Sequence, residues 1–387
     1  MNPPENAKPF VAIACGGTGG HLFPGLAVAE QLKQRGCDVA LLISPKEVDQ
    51  QAVKSAAGME IFTLPAVGLQ NRNYFSFARN FWGSLRTARG IFKSRRPAAV
   101  LAMGGFTSAP PVLAARQFGA KTFLHDSNTI PGKANRFLAG WVDEAFIGFP
   151  EAAARLRAKN ISVTGTPVRP QFQMREAAAC RTALGLDPDL KTILVVGGSQ
   201  GASGLNELIL SALKRVSSVQ WLHLTGAKDF EKVKAAYATA GLKAVVKPFL
   251  AEMELALGAA TACVSRAGAS SLAEIAAMRL PSALIPLPTS ADNHQWSNAL
   301  AFEQTGAAML LDQKNSSPEK VASALGALVD DQVVRSKIQV ALKQWHAPLA
   351  AEVIAENILK AIGQQVGNPA HRDSKPAGGE IKLRAVA

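Results

Sequence analysis

Gly197-Gly198-Ser199-Gln200-Gly201-Ala202 is the stretch whose reading decides the fold. It follows Thr192-Ile193-Leu194-Val195-Val196, an apolar, β-branched run of the kind that forms a parallel strand buried on both faces. Ala202 to Val216 then reads as a helix. Strand, glycine-rich turn and helix start together make an anion site. The turn lets backbone approach a phosphate, and the helix N-terminus offers N–H groups at the positive end of its dipole. A near-copy stands earlier, where Val11-Ala12-Ile13-Ala14-Cys15 runs into Gly16-Gly17-Thr18-Gly19-Gly20-His21. Two such units in 387 residues predict two nucleotide-fold halves.

Working outward from these turns, the first half alternates strand and helix. Strands are expected at Phe10–Cys15, Asp38–Ile43, Ile61–Leu64, Ala98–Met103, Lys121–His125, Ala145–Gly148 and Ile161–Thr164. Helices are expected at Phe23–Arg35, Glu47–Ala57, Phe75–Lys93, Ser108–Phe118 and Lys133–Leu138. The second half repeats the pattern, with strands at Thr192–Val196, Trp221–Thr225, Ala244–Pro248, Ala262–Ser265, Ser282–Pro286 and Ala308–Leu311. This alternation predicts mostly parallel sheets with helices on both faces, an α/β class. Thr164 to Pro170, with two prolines and a glycine, reads as a hinge. The domains are therefore expected at 8–165 and 166–345. A helix within 346–364 could cross back to the first, and 365–387 reads as a disordered basic tail.

Charged residues at 18% and hydrophobic ones at 48% place the chain among globular proteins. It has no long uninterrupted apolar run, and Met1 to Pro9 carries no apolar leader core, so a cytoplasmic protein without a spanning helix is expected. Cys15, Cys37, Cys180 and Cys263 have no metal-binding spacing and read as free thiols. The net charge of +13 is uneven: Ile61 to His125 holds nine Lys/Arg and no Asp or Glu. Such a surface attracts nucleic acid, anionic lipid or a phosphorylated substrate, and charge alone does not choose among them.

Several residues have both a bland and a functional reading. Glycine-rich Gly16–His21 is more glycine than a turn needs, since each costs roughly 0.5–1 kcal/mol of chain entropy. Ile43 runs into Ser44-Pro45-Lys46 with no acid at the strand end, which argues against a dinucleotide site. His21 is either a turn-capping histidine or a general base. Ser199 and Gln200 are cap residues or part of a diphosphate cradle. Ser265 to Glu274 is a third strand–turn–helix, with Arg266 beside the turn. There Glu274 is either a helix-stabilising acid or a carboxylate for ribose hydroxyls. Asp292 to Ala299 puts amides at a loop–helix junction, as caps or as sugar ligands. Phe75 to Arg96 is either a core helix with a solvated basic face or a membrane-surface helix. In the second case its aromatics would dip into the interface and Arg79, Arg86 and Lys93 would meet anionic headgroups.

Taken together, GGTGGH with Phe23-Pro24-Gly25, MGGFTSAP (Met103–Pro110), HDSN (His125–Asn128), PVR (Pro167–Arg169), GGSQGA, SRAGASSLAE and DNHQWSNA resemble the MurG family of N-acetylglucosaminyltransferases over roughly residues 8–365. The resemblance implies a GT-B fold: two Rossmann-like domains facing a central cleft, with acceptor and membrane docking on the first and UDP-GlcNAc on the second. It implies inverting transfer of GlcNAc to the C4 hydroxyl of undecaprenyl-pyrophosphoryl-MurNAc-pentapeptide in peptidoglycan synthesis. No cofactor or catalytic metal is implied. Implied donor contacts are Thr18, Gly19, Gly20, Asn128, Arg169, Ser199, Leu250 by backbone, Ala269, Ser270, Ser271, Leu272, Ala273, Glu274 for ribose and Gln295 for GlcNAc. His21 is the candidate base, with Asp126 as rival. Membrane docking would fall to Phe77, Arg79, Phe81, Trp82, Leu85, Arg86 and Arg89 at the cytoplasmic face of the inner membrane, as a peripheral protein. Other cell-wall synthesis proteins are candidate partners, and nucleic acid is not. Asp126 and Ser127 stand where the family usually has Glu and Gln; Thr166 and the Gly68–Arg72 loop also depart from its pattern. Alternatives are another GT-B enzyme, such as a diacylglycerol glycosyltransferase or a UDP-GlcNAc 2-epimerase, or a non-catalytic nucleotide-sugar-binding membrane module.

Overall fold

The computed structural model of the chain describes residues 8–46, 49–50, 58–66, 68, 74–198, 201–364 and 383–384. Most of the helix expected at Glu47–Ala57, Ser199 and Gln200, most of the Gly68–Arg72 loop and nearly all of the 365–387 tail lie outside the described residues. The chain forms two compact units, Met1–Arg169 with Pro348–Ala387, and Pro170–Ala347. Thr166 to Arg169 therefore goes with the first unit rather than the second.

The first unit is built on β1 (Phe10–Ala14), β2 (Asp38–Ile43), β3 (Glu60–Thr63), β4 (Ala99–Ala102), β5 (Lys121–Asp126), β6 (Glu144–Ile147) and β7 (Ile161–Val163). They run parallel in the order β3-β2-β1-β4-β5-β6-β7. Leu383 and Arg384 pair in parallel with Ile61 and Phe62 on the outer edge of β3. Successive side chains point to opposite faces of a strand. Val11, Ile13, Val39, Leu41, Ile43 and Leu101 accordingly join one apolar cluster, and Ala12, Ala14, Ala40, Leu42, Val100 and Ala102 the other. Both faces are covered, which is why these strands read as continuous apolar runs.

The first cluster is closed by α1 (Gly19–Gln34) and by the C-terminal helix Ala350–Ala361. Ile354, Ile358 and Leu359 of that helix are buried in the cluster. At its start Arg35 of α1 pairs with Glu352 at 2.7 Å and Glu356 at 3.5 Å. The second cluster is closed by α2 (Tyr74–Ser94) and α3 (Ala109–Gln117). α1 begins four residues earlier than the Phe23 expected from the sequence. Gly19, Gly20 and Pro24 are poor interior helix residues. The Thr18 carbonyl nevertheless accepts the N–H groups of His21 and Leu22, both at 3.1 Å, and starts the helix there.

The second unit carries β8 (Thr192–Val196), β9 (Gln220–Leu224), β10 (Ala244–Lys247), β11 (Ala262–Ser265), β12 (Ser282–Leu284) and β13 (Met309–Leu310), parallel in the order β10-β9-β8-β11-β12-β13. α4 (Ser203–Ala212) follows β8, α5 (Ala269–Ala277) follows β11 and α6 (His294–Gln304) follows β12. In each unit the strand order reverses beside the central strand, between β1 and β4 and between β8 and β11. Ligands of open α/β sheets bind outside the carboxyl ends of the strands at such points. Both glycine turns emerge there.

Ile358→Ala removes a fully buried side chain between the C-terminal helix and the first sheet. It should cost the first unit about 2–5 kcal/mol, read as a shift of that unit's unfolding transition in urea, with the second unit's transition unmoved.

Candidate active site

In the first unit, side chains from elsewhere in the chain hold part of the turn after β1. Gly17 N–H donates to the buried Asp49 carboxylate at 2.6 Å, and Ser44 N–H donates to the same oxygen at 3.1 Å. Thr107 Oγ1 donates to Gly16 O at 2.8 Å, and Lys46 Nζ donates to Gly17 O at 3.3 Å. These bonds hold the turn from behind, and the Lys46 ammonium stands beside it. What the turn presents is His21, in the first turn of α1. His21 Nδ1 lies 3.2 Å from Thr18 Oγ1. With Nδ1–H donated to Thr18, Nε2 carries the lone pair that a base needs. The ring lies against Gly104 and Gly105, whose φ values are +108° and +75°. A Cβ on either would come within 3.0–3.1 Å of the imidazole. The glycine pair in MGGF is thus required twice, by its left-handed backbone and by the histidine it supports.

Asp126, the rival base, is only 3% exposed. Its Oδ1 accepts from Asn128 N–H, and its Oδ2 accepts from Gly132 N–H and Asn135 Nδ2, each at 2.9 Å. Burial pushes its pKa up while these hydrogen bonds pull it down. The carboxylate is occupied in shaping the loop after β5. Asn128 sits half-buried on that loop. Arg169, at the end of the unit, lies with its guanidinium carbon 4.4 Å from the centre of the Phe23 ring. His125 is buried, with Nε2 3.0 Å from Gly165 O, and burial lowers its pKa to about 4.

The second unit carries a cavity at the corresponding place. Gly197, Gly201 and the first residues of α4 line a cavity of about 330 Å³ with Arg266, Leu287–Thr289, Gln295, Gln313 and Lys314. Gly201 has φ +75°, and a Cβ there would collide with Thr225 O. A buried polar network fixes the start of α4. Asn206 Nδ2 donates to Thr225 O at 3.0 Å and to Asp229 Oδ2 at 2.9 Å. Its Oδ1 lies 3.0 Å from His223 Nε2, and His223 Nδ1 lies 3.1 Å from the Tyr237 hydroxyl. One neutral tautomer satisfies both: Nε2–H donates to Asn206 and Nδ1 accepts from Tyr237. Burial lowers the His223 pKa to about 3.

Arg266 stands beside the third turn, where a cation could attract an anion. Its NH1 instead donates to Ile285 O at 2.9 Å and Pro286 O at 3.1 Å, and its NH2 to Gln313 Oε1 at 2.6 Å. Burial lowers its pKa to about 10. It braces strand-end carbonyls. In the 269–274 segment, Ala269 and Leu272 turn into the core, leaving Ser270, Ser271, Ala273 and Glu274 half-buried. Gln295 Oε1 accepts from Leu287 N–H at 2.9 Å, which leaves its Nε2 as a donor. Leu250 is buried behind exposed Phe249. Sequence reading missed Asp49, Thr107, Asn135, Asn206, Gln313 and Lys314. For the last two a signal existed, since they lie three and four residues beyond a strand end of the second sheet.

Along α2, Tyr74, Phe75 (81% exposed) and Trp82 (63%) face out with Arg79, Arg86 and Arg89, while Phe77 and Phe81 are half-buried. Leu85 is buried at 4%, with Ile91 and Phe92, and is removed from the membrane-facing set. No helix among the described residues is long and apolar enough to cross a membrane. Among the described residues no group of three His, Cys, Asp or Glu is placed to hold a metal ion.

The chain matches the glycosyltransferase family 28 N-terminal domain over residues 11–147 and the family 28 C-terminal domain over 192–352. These two domains, on paired doubly wound sheets, define a glycosyltransferase of GT-B fold. A relative from an Anaeromyxobacter sp. is 32% identical over 385 residues, covering 96% of this chain and 98% of the relative. It is named UDP-N-acetylglucosamine--N-acetylmuramyl-(pentapeptide) pyrophosphoryl-undecaprenol N-acetylglucosamine transferase, and the chain belongs to that family. The crystal structure of Acinetobacter baumannii MurG is similar with a TM-score of 0.72 at 28% identity, covering 92% of this chain and 100% of that one. A UDP-N-acetylglucosamine 2-epimerase structure, with a TM-score of 0.66 at 15% identity over 92% of this chain and 97% of that one, shares the fold alone.

His125 and His223 are held neutral, at about 4 and about 3 against an ordinary 6.5. The unfolded chain takes up these protons first, so stability falls as pH drops below 6.5, by about 1.4 kcal/mol per pH unit for each histidine. His223→Gln should flatten the acid slope of the second unit's urea stability between pH 6.5 and pH 4. An unchanged slope would refute the assignment.

Proposed function

We propose that the chain is an inverting N-acetylglucosaminyltransferase. It transfers GlcNAc from UDP-GlcNAc to the C4 hydroxyl of undecaprenyl-pyrophosphoryl-MurNAc-pentapeptide, the step of peptidoglycan synthesis that forms the lipid-linked disaccharide. The acceptor O4 attacks the anomeric carbon, the bond from that carbon to the phosphate oxygen breaks, and UDP leaves with the electron pair. The acceptor proton passes to a base. The observation that carries the reading is the contrast between the two glycine turns in a chain of this family. One is held by Asp49, Thr107 and Lys46 and presents a histidine beside Thr18, and the other lines a cavity at a switch point.

In this reading the second unit binds the donor. The Gly197–Ala202 turn, with Ser199, and the start of α4 receive the diphosphate. Glu274 takes the ribose, backbone at Leu250 brackets the uracil, and Gln295 donates its Nε2–H to GlcNAc. Support for the last comes from the bond that commits its Oε1 to Leu287. The first unit handles the acceptor. His21 is the base, supported by its Thr18 contact and glycine support. Thr18, Gly19, Gly20, Asn128 and Arg169 complete the donor contacts by family resemblance, with no cofactor. Because the acceptor is lipid-linked, the chain works as a peripheral protein at the cytoplasmic face of the inner membrane. The exposed aromatics of α2 and its arginines, in a segment without acids from Ile61 to His125, support docking on anionic lipid.

Incubation with labelled UDP-GlcNAc and a short-chain MurNAc-pentapeptide pyrophosphoryl lipid should release UDP and form the disaccharide. UDP release without disaccharide would instead mark an enzyme acting on the donor alone. His21→Ala should lower kcat by about 100-fold or more while leaving UDP affinity intact; full turnover would exclude His21 as base. Trp82→Ser combined with Arg86→Glu should weaken sedimentation with phosphatidylglycerol vesicles while leaving UDP binding unchanged, and undiminished sedimentation would refute docking through α2.

A further inference from the structure

The cavity of the second unit holds a cation that neither the motifs nor the family resemblance assigns. Two positively charged side chains line it, Arg266 and Lys314. Arg266 is spent: two carbonyls and Gln313 take its terminal nitrogens. Lys314 is exposed, and its backbone N–H donates to Asp312 Oδ1 at 2.9 Å. Among the described residues its ammonium has no ion pair or hydrogen bond. Its neighbour Gln313 fixes where it stands. Gln313 is joined to Arg266 on one side and packs on α4 on the other, where a Cβ added at Gly204 would lie 2.5 Å from Gln313 Nε2. The loop after β13 is therefore clamped to the first turn of α4, and Lys314 is carried to the cavity wall beside the glycine turn and the helix start.

We propose that Lys314 is a donor-binding residue, contacting the diphosphate of the nucleoside diphosphate sugar in this cavity and neutralising the charge that grows on the departing UDP. The proposal rests on the cavity being the donor site. The ligand chemistry follows from the lining. An ammonium and the N-terminal N–H groups of α4 suit an anion, and the Gln295 donor and the apolar Leu287-Pro288 edge suit a sugar joined to it. An inorganic anion would use only the first part of that lining. A nucleoside diphosphate sugar uses both.

The test is calorimetric titration of the full chain with UDP, with uridine and inorganic phosphate as competitors. Lys314→Glu should weaken UDP binding by about tenfold or more and leave uridine competition within about twofold, and Lys314→Arg should restore UDP binding to within about threefold of the parent. Lys337→Glu, an equal charge change on the helix Gln332–Leu342 away from the cavity lining, should leave UDP affinity unchanged. UDP binding by Lys314→Glu at parental affinity would overturn the role of Lys314 while leaving the donor site standing. No UDP binding by the parent chain would overturn the donor site itself. Inorganic phosphate displacing UDP as effectively as UDP-GlcNAc does would reduce the cavity to an unselective anion site and overturn the proposal.

Discussion

Parallel pairing of one central strand with two neighbours reached in opposite directions is the constraint on which both units rest. β1 is bonded to β2 on one side and β4 on the other, and β8 to β9 and β11. The crossovers leaving and returning to the central strand diverge, and the backbone at its carboxyl end is left uncovered. Buried backbone N–H and C=O groups must find partners. Each central strand therefore ends in a turn whose backbone groups need partners.

The two units resolve this in opposite ways. Behind the first turn Asp49 takes the Gly17 N–H, and Thr107 and Lys46 take the carbonyls of Gly16 and Gly17. The Asp49 carboxylate also accepts the Ser44 N–H and so ties the turn to the end of β2. It leaves the turn rigid, with His21 braced on Gly104 and Gly105. At the second turn, the Asn206–His223–Tyr237 network holds α4 from behind and leaves its start facing a cavity. The same local motif is thus held by side chains from behind in one unit and lines a cavity in the other. The difference lies in side chains distant in sequence.

Charge behaves similarly. Arg266 stands beside a glycine turn and reads as an anion ligand, yet burial makes it a brace for carbonyls, while Lys314 on a neighbouring loop keeps its ammonium unpaired among the described residues. Along α2 the division falls within one helix. Its second half sends Leu85, Ile91 and Phe92 into the core, and its first half keeps Phe75 and Trp82 outside beside arginines. The second half of the helix is thus a core element, and its first half keeps large aromatics exposed.

The sequence by itself determined the α/β class, most strand positions and the family, because these rest on local features. Strands buried on both faces are continuous apolar runs, and close backbone approach demands glycine wherever it occurs. Helix starts were less legible. Gly19 and Gly20 look unhelical, and only the hydrogen bonds to the Thr18 carbonyl begin α1 there. Tertiary structure alone decided that Asp126 is buried in the hydrogen bonds of a loop, that Asp49 and Asn206 hold the two glycine motifs from behind, and that Lys314 lines the cavity. It also decided that Ala350–Ala361 closes the first unit against α1. Residue type states what a side chain can do. Whether it is buried, paired or open depends on segments far along the chain, and those meet only when the sheets are assembled.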